Sequence, residues 1–385
     1  MDYIPLNEVA KFINGRAFKP SEWEDKGLPI IRIQNLTRTS DAFNYFSGNF
    51  DERYRVKDGD ILISWSASLG VYIWQGEDAI LNQHIFRVET NGKVDKTYFF
   101  YAAQSVLDEM KAEVHGATMQ HITKDRFEAL KIPLPPIEEQ QRIAGILARA
   151  DRLWQLRRYA LQLSEGYLQS VFLQMFGDPV TNPMGWEIRP LGKLLTTIDT
   201  GVIPVCQERP ALDNEWGILK LGAVTTCNYL ETENKAITSK TSPRMELEVK
   251  SGDLLFSRKN TYDLVGACAY VHHTRLKLML PDLIFRLQIE DKKELDPIYL
   301  WQLLIFPTKR KMVQRLAGGS AGSMPNISKG RLNTVEIPLP SPELQSKFAC
   351  VVRQAERLRA QQHEAARQAE HLFATLLHRA FTPSP

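Results

Sequence analysis

The sequence predicts a mixed α/β (α+β) protein built from two repeated α/β domains, each followed by a long helix, with the two helices packing as an antiparallel coiled-coil spacer. Three observations predict it. The 385-residue chain is written twice, each copy runs from turn-and-strand signals into helical periodicity, and each copy ends on an IPLP segment that opens a heptad pattern.

The repeat is faint at the front of each copy and clear at the back. Pro5-Leu6 opens one copy and Pro190-Leu191 the other. Lys57-Asp58-Gly59-Asp60-Ile61-Leu62 matches Lys250-Ser251-Gly252-Asp253-Leu254-Leu255, and Ile85-Phe86-Arg87-Val88 matches Ile284-Phe285-Arg286-Leu287. Ile122-Thr123-Lys124 matches Ile327-Ser328-Lys329, and Ile132-Pro133-Leu134-Pro135 matches Ile337-Pro338-Leu339-Pro340. The offset between partners grows from 185 at Pro5/Pro190 to 205 at Ile132/Ile337, so the second copy is longer only ahead of its IPLP segment. Two readings fit: the fronts do different jobs on a shared frame, or an old duplication drifted in its loops. Both need duplication, so the repeat alone gives no function.

Within each copy the Asp-Gly-Asp and Ser-Gly-Asp signals before ILIS and LLFS predict a turn and a buried strand. IFRVET and IFRLQIE alternate as strands do, and YFFYAAQSVLDEMKAEV and PIYLWQLLIFPTKRKMVQRLA carry helical periodicity. Loops are expected at Gly116-Ala117-Thr118 and Gly318-Gly319-Ser320-Ala321-Gly322-Ser323, and the IPLP strands close each unit. The boundaries that follow are 1–135 and 179–340 for the globular domains and 136–178 and 341–385 for the helices.

Pro136 and Pro342 stand where the first turn of a helix tolerates proline, and Glu138, Glu139 and Glu343 lie near the positive end of the helix dipole. Apolar residues then recur at 3/4 spacing through Ile143, Ile146, Ala150, Leu153, Ala160, Tyr167 and Val171 in one copy. Phe348, Val351, Ala355, Leu358, Ala365, Ala369, Leu372 and Leu376 do so in the other. Leu147, Trp154, Leu161, Leu168 and Met175 form a further apolar row in the first copy alone, a surface wide enough for a partner. Arg157, Ser164 and Gln362 interrupt the seams, and Gly177 stands as a C-cap. About 40 residues per helix gives roughly 60 Å. The alternative is ordinary surface helices packed on their own domains.

Hydrophobic content of 43% and aromatic content of 9% suit a globular core, and a net charge of +3 neither points to nor excludes a nucleic-acid partner. Cys206, Cys227, Cys268 and Cys350 have no CxxC spacing and read as reduced thiols. No signal peptide is evident and no run approaches the roughly 20 apolar residues of a membrane span, so a soluble, cytoplasmic protein is expected.

LPPIEEQQRIAGILARADRL, followed by LQSVFLQMFGDPVTNPMGWEIRPLGKLL, resembles the central conserved region of type I restriction–modification specificity subunits, and IPLPSPELQSKFACVVRQAERL resembles their distal conserved region. The resemblance is specific over the helices and one of layout elsewhere. It implies two target-recognition domains, each followed by a conserved helix, in a subunit that is not catalytic. Such a subunit places two copies of an adenine-N6 methyltransferase subunit, and a restriction/translocase subunit in the full complex, on an asymmetric bipartite double-stranded DNA site. No cofactor is expected in this chain; S-adenosylmethionine belongs to the methyltransferase partner. The second helix departs from the family by lacking the EEQ run, carrying Pro342-Glu343-Leu344-Gln345 instead. That bears on its partner contact.

Base reading needs donors and acceptors of fixed geometry, supported by phosphate contacts. Candidates in the first domain are Arg16, Lys19, Arg32, Gln34, Asn35, Ser64, Ser66, Gln83 and His84, with Gln120 and His121 before the last strand. In the second they are Lys220, Ser257, Arg258, Lys259, Asn260, Thr261, Ser323 and Asn326. SRKNTYD suits a groove-facing loop because it gathers arginine, lysine, asparagine and tyrosine right after a strand; the bland alternative is a solvated loop. Arg32 and Arg87 have a structural alternative, paired with carboxylates at strand ends. Candidate partner and spacer residues on the helices are Ile143, Ile146, Leu147, Leu153, Trp154, Leu161, Leu168, Phe348, Val351, Leu358, Leu372 and Leu376.

Enzyme readings fare worse. Thr181-Asn182-Pro183-Met184-Gly185-Trp186 is similar to the Asn-Pro-Pro-aromatic motif of amino-methyltransferases but lacks its second proline, and reads better as turn punctuation with an anchoring tryptophan. His272-His273 lacks metal-ligand spacing, and no phosphate loop or nucleophile elbow is present. A coiled-coil protein–protein adaptor without sequence-specific DNA reading is the remaining alternative. Featureless polar units would favour it, and these units carry strands and basic-aromatic loops.

Overall fold

The glycine turns form as their sequence requires. Gly59 and Gly252 take φ of 81° and 95°, values open to glycine at little cost. The following aspartates accept from the backbone across each turn, Lys57 N to Asp60 Oδ2 and Lys250 N to Asp253 Oδ2, both at 2.9 Å. Each turn delivers a fully buried strand.

The structure, a computed structural model, describes residues 2–66, 68–113, 123–238, 242–318 and 324–382. The chain divides into two compact units, Met1–Tyr159 with His363–Pro385, and Ala160–Gln362. The division falls inside both long helices, so each unit contains part of each helix rather than ending where a helix begins.

The first unit runs β1 (Tyr3–Pro5), α1 (Leu6–Val9), β2 (Ala10–Asn14), β3 (Leu28–Ile31), α2 (Ile33–Leu36), β4 (Asn44–Phe46), β5 (Arg55–Val56), β6 (Ile61–Ser64), β7 (Gly70–Ile73), β8 (Ala79–Leu81), β9 (Ile85–Thr90), α3 (Lys96–Glu113), α4 (Lys124–Glu128) and β10 (Lys131–Pro133), then enters α5 (Ile137–Phe176). One sheet, ordered β2-β9-β6-β7, is antiparallel throughout. A second, β4-β3-β8-β5, has a parallel pair at β3 and β8. β1 pairs with β10, so the first strand is tied to the IPLP segment. The core joins Phe12, Phe86, Phe99 and Phe127 to Ile143, Leu147 and Ala150 of α5 and to Phe373 and Phe381 near the chain's end. Trp154 stacks on Phe373 at 5.7 Å.

The second unit repeats this plan with β11 (Glu187–Pro190), β12 (Leu195–Thr200), β13 (Gly217–Leu219), α6 (Gly222–Thr225), β14 (Asn234–Ala236), β15 (Leu254–Ser257), β16 (Cys268–Tyr270), β17 (Leu278–Met279), β18 (Ile284–Ile289), α7 (Pro297–Ile305), α8 (Pro307–Gln314), α9 (Lys329–Asn333), β19 (Glu336–Leu339) and α10 (Pro342–Phe381). The sheets are β12-β18-β15-β16, β14-β13-β17 with β13 and β17 parallel, and β11-β19. Phe172 and Phe176 of α5 meet Phe348 of α10 edge-on at 5.5 and 5.2 Å.

The helices bury a different row from the one expected at several positions. On α5 Ile143, Leu147 and Leu168 are buried, Ile146, Trp154 and Leu161 are half-buried, and Leu153 faces solvent. On α10 Phe348, Val352, Ala366, Ala369 and Phe373 are buried, Val351 and Leu376 are half-buried, and Leu358 and Leu372 face solvent. Leu153, Leu358 and Leu372 are thus corrected from seam to surface, while Ile143, Phe348 and Ala369 of the same rows are buried. Pro342 is the first residue of α10, whereas Pro136 precedes α5. Gly177 ends α5 at φ 75°, donating to Leu173 O. In the turn that follows, Asn182 brackets Trp186 with two hydrogen bonds, and the indole donates to Phe176 O at 3.0 Å. The NPMGW motif is therefore a helix-ending anchor.

A buried clamp ties each IPLP strand to the helix before it. Tyr98 and Tyr299 donate to the carbonyls of Pro133 and Pro338, each at 2.8 Å. Burial pushes both phenols above their usual range. Gln140 accepts from Asp95 N and donates to Lys93 O and Pro135 O; Gln345 makes the same three bonds with Asp296 N, Glu294 O and Pro340 O. The missing EEQ run thus leaves its buried glutamine in place, and that glutamine serves the fold rather than a partner. No helix among the described residues is long and apolar enough to cross a membrane.

Candidate nucleic-acid interface

In both units a glycine just after the edge strand β2 or β12 lets the chain touch the segment that leaves β8 or β17 of the other sheet. A Cβ on Gly15 would lie 1.9 Å from Asn82 O, and one on Gly201 1.8 Å from Leu280 O. The next residues, Arg16 and Val202, form matching parallel bridges to Asn82 and Pro281. The frame position is shared and the side chain is not.

Around this point in the first unit, Arg16 pairs with Glu22 and lies 4.7 Å from the ring centres of both Phe18 and Phe46. Lys19 is exposed at the chain's turn beyond it. Gln83 is half-buried, its N donating to Arg16 O at 2.8 Å. His84 adopts φ 72°, and its Nδ1 is buried without a hydrogen-bond partner. Trp65 meets His84 edge-on at 4.8 Å, stacks on Phe86 at 5.8 Å and donates to Asn14 Oδ1 at 3.2 Å. At the start of α2, Arg32 lies over the exposed Trp23 at 5.4 Å, and its Nε is buried without a partner. Gln34 beside it is exposed.

Around the same frame in the second unit, Arg258 N donates to Leu283 O at 3.1 Å, as Trp65 N does to His84 O. The Arg258 guanidinium lies 5.2 Å over Phe285, donating from Nε to Asn326 Oδ1 at 3.2 Å and from Nη1 to Asp282 O at 3.5 Å. Lys259 bridges Asn326, which also pairs with Gly318, so three loop segments are laced together there. Thr261 and Tyr262 are exposed at the loop tip, and Asn260 is buried. Lys329 also approaches Phe285, at 5.8 Å, and donates to Ile198 O.

Several expected contacts are corrected. The hydroxyls of Ser64 and Ser257 are fully buried, Ser64 donating to Ser68 O and Ser257 having no partner; Ser66 is buried as well. Ser64 and Ser257 end core strands, and all three serines are turned inward rather than toward a groove. Asn35 is used locally, accepting from Arg32 N and donating to Ser40 O and Ala42 O. Lys220, which occupies the position of Arg32, is paired with Glu233 at 2.8 Å. Arg87 is structural, contacting Glu89 and Arg53 O. Gln120, His121 and Ser323 lie outside the described residues. Trp65, Trp23 and Lys329 also line these frames; the sequence signal for Trp65 is an indole inside the serine-rich turn SWSAS.

Cys227 and Cys268 are buried, Cys206 half-buried and Cys350 exposed, all as free thiols; burial pushes the Cys268 thiol up. Among the described residues no group of three or more His, Cys, Asp or Glu is arranged to hold a metal.

Residues 1–162 match the family model for the type I restriction modification DNA specificity domain. The chain is 25% identical to the EcoBI type I restriction enzyme specificity subunit of Escherichia coli, over 96% of this chain and 79% of that one. It is 24% identical to the MjaVIII specificity subunit of Methanocaldococcus jannaschii, over 90% of this chain and 84% of the relative. The fold matches the crystal structure of the type I restriction-modification system S subunit from M. genitalium with a TM-score of 0.61 at 14% identity, over 100% of this chain and 96% of that one.

Proposed function

We propose that this chain is a type I restriction-modification specificity subunit, a non-catalytic role of DNA sequence recognition, and that it recognises an asymmetric bipartite double-stranded DNA site. Each unit reads one half-site. The observation that carries this is the pair of matched frames with unmatched side chains, Arg16, Arg32 and Trp65 against Val202, Lys220 and Arg258. A shared scaffold with divergent contacts is what reading two different half-sites requires.

In this reading α5 and α10 act as an antiparallel coiled-coil spacer that sets the distance between half-sites. Two methyltransferase subunits, which hold S-adenosylmethionine, dock on the chain, and a restriction subunit joins them in the full complex. The protein works in the cytoplasm. Support for the helical role comes from the aromatic contacts that α5 and α10 make within each unit. Methylation mapping in cells with and without this gene and its methyltransferase gene tests the reading. A two-part adenine-methylated motif that needs both genes is expected. Methylation independent of this chain would overturn it and return the protein-only adaptor. Deleting one heptad from both helices is expected to change the unread spacer of the motif; an unchanged spacer would sink the spacer role.

A further inference from the structure

Resting on the reading that the second unit reads DNA, we propose that Arg258 is its base-specific contact and that the half-site it reads contains a guanine. Guanine offers two acceptors, N7 and O6, on its major-groove edge, and the guanidinium fork matches them with two parallel donors. Three conditions make an arginine a base reader rather than a mobile surface charge: it must be braced, it must keep a pair of donors free, and it must lack an acidic partner.

Arg258 meets all three. Its backbone is fixed at the end of a buried strand by the bond to Leu283 O. Its guanidinium is held against Phe285 and tied to Asn326 Oδ1 and Asp282 O. Asn326 is itself fixed by paired bonds to Gly318, so the brace is not a floating loop. Those ties use two of the five N–H donors of an arginine, and among the described residues no carboxylate forms an ion pair with it. The contrast with the other basic residues is sharp: Arg286 is locked onto Asp199 and Asp253, and Lys220 onto Glu233. At the matching place in the first unit stands Trp65, whose single N–H is already committed to Asn14. The first unit therefore reads its half-site without a guanine contact from this position.

The test uses the assembled complex of this chain with its methyltransferase. Duplexes carry 7-deazaguanine, which lacks the N7 acceptor, at each guanine of the methylated motif in turn. One position in a single half-site is expected to weaken wild-type binding roughly tenfold, and Arg258→Ala is expected to abolish that sensitivity. Methylation mapping with Arg258→Ala and with Arg258→Lys, which keeps the charge but not the fork, is expected to show relaxed preference at that one position with the other half-site intact. Thermal unfolding of both variants establishes that they are folded. An unchanged motif, or a uniform loss of binding across all sequences with a smaller salt slope, overturns the proposal, the second outcome making Arg258 a phosphate contact. The specificity-subunit reading survives either result. It fails separately if the wild-type chain directs no methylation.

Discussion

The two units of this protein agree in their interiors and disagree at their rims. Tyr98 and Tyr299 reach equivalent proline carbonyls at the same distance, and Gln140 and Gln345 make the same three bonds. Gly15 and Gly201 permit the same close approach. At the rim, Arg16 faces Val202 across the comparison, Trp65 faces Arg258, and Arg32, with no ion pair among the described residues, faces a Lys220 paired with Glu233. Buried hydrogen-bond partners are costly to lose, so the clamp is held in both copies; exposed contacts are free to diverge. The difference teaches that one frame carries two separate recognition surfaces, with the available arginine moved from the start of a short helix in one unit to the end of a strand in the other.

The clamp offers the largest test. Gln345→Ala removes the partners of one buried carbonyl, Pro340 O, and of a part-buried N–H and carbonyl, Asp296 N and Glu294 O, a loss of about 2 kcal/mol by the usual cost of unsatisfied buried groups. Gln140→Ala is expected to cost the same in the first unit. Urea unfolding measures the loss, and amide exchange locates it, at the start of α7 in one variant and of α3 in the other. A loss under about 1 kcal/mol in either would break the equivalence of the two interiors.

The rim offers the next. Arg32→Ala is expected to weaken DNA binding of the complex by about tenfold, since its guanidinium lies over the exposed Trp23 and no carboxylate among the described residues pairs with it. Lys220→Ala is expected to change it less than about twofold, because Glu233 already neutralises that amine. Fluorescence anisotropy at fixed ionic strength separates them. Equal effects would mean that the ion pair opens on DNA and that the two positions do the same work.

How much of this was legible in the sequence follows from which residues act through the backbone. The IPLP strands, the Gly59 and Gly252 turns and the Gly177 cap were readable because each imposes a backbone conformation that few alternatives satisfy. The Asp-x-x-Tyr spacing of Asp95-Tyr98 and Asp296-Tyr299 was present in both copies, but the clamp it serves closes only in three dimensions. Gln140 follows the acidic pair Glu138-Glu139 at a helix start, where no sequence pattern marks it as buried, and it is buried. Leu153, Leu358 and Leu372 have heptad spacing, yet periodicity does not say which members of a row turn inward. Asn35 is a polar letter whose side chain stays with its own loop, as asparagine often does. Arg258 stands out in the sequence because SRKNTYD gathers basic and polar residues directly after a strand; which carboxylates lie near it is a matter of three dimensions.

The smallest test concerns the two serines that end the matched strands. Ser64 and Ser257 are equally buried, yet among the described residues Ser64 has a hydrogen-bond partner, the carbonyl of Ser68, and Ser257 has none. Ser64→Ala is expected to cost about 1 kcal/mol, the worth of one net hydrogen bond plus the stranded carbonyl. Ser257→Ala removes a desolvated hydroxyl that has no partner, so it is expected to be neutral or stabilising by up to about 1 kcal/mol. Thermal unfolding of the two variants measures the difference, and opposite signs would show that the second unit sacrifices stability directly behind Arg258. Equal losses would mean that Ser257 finds a partner in solution, and the strand end behind Arg258 would then be as well supported as its counterpart behind Trp65.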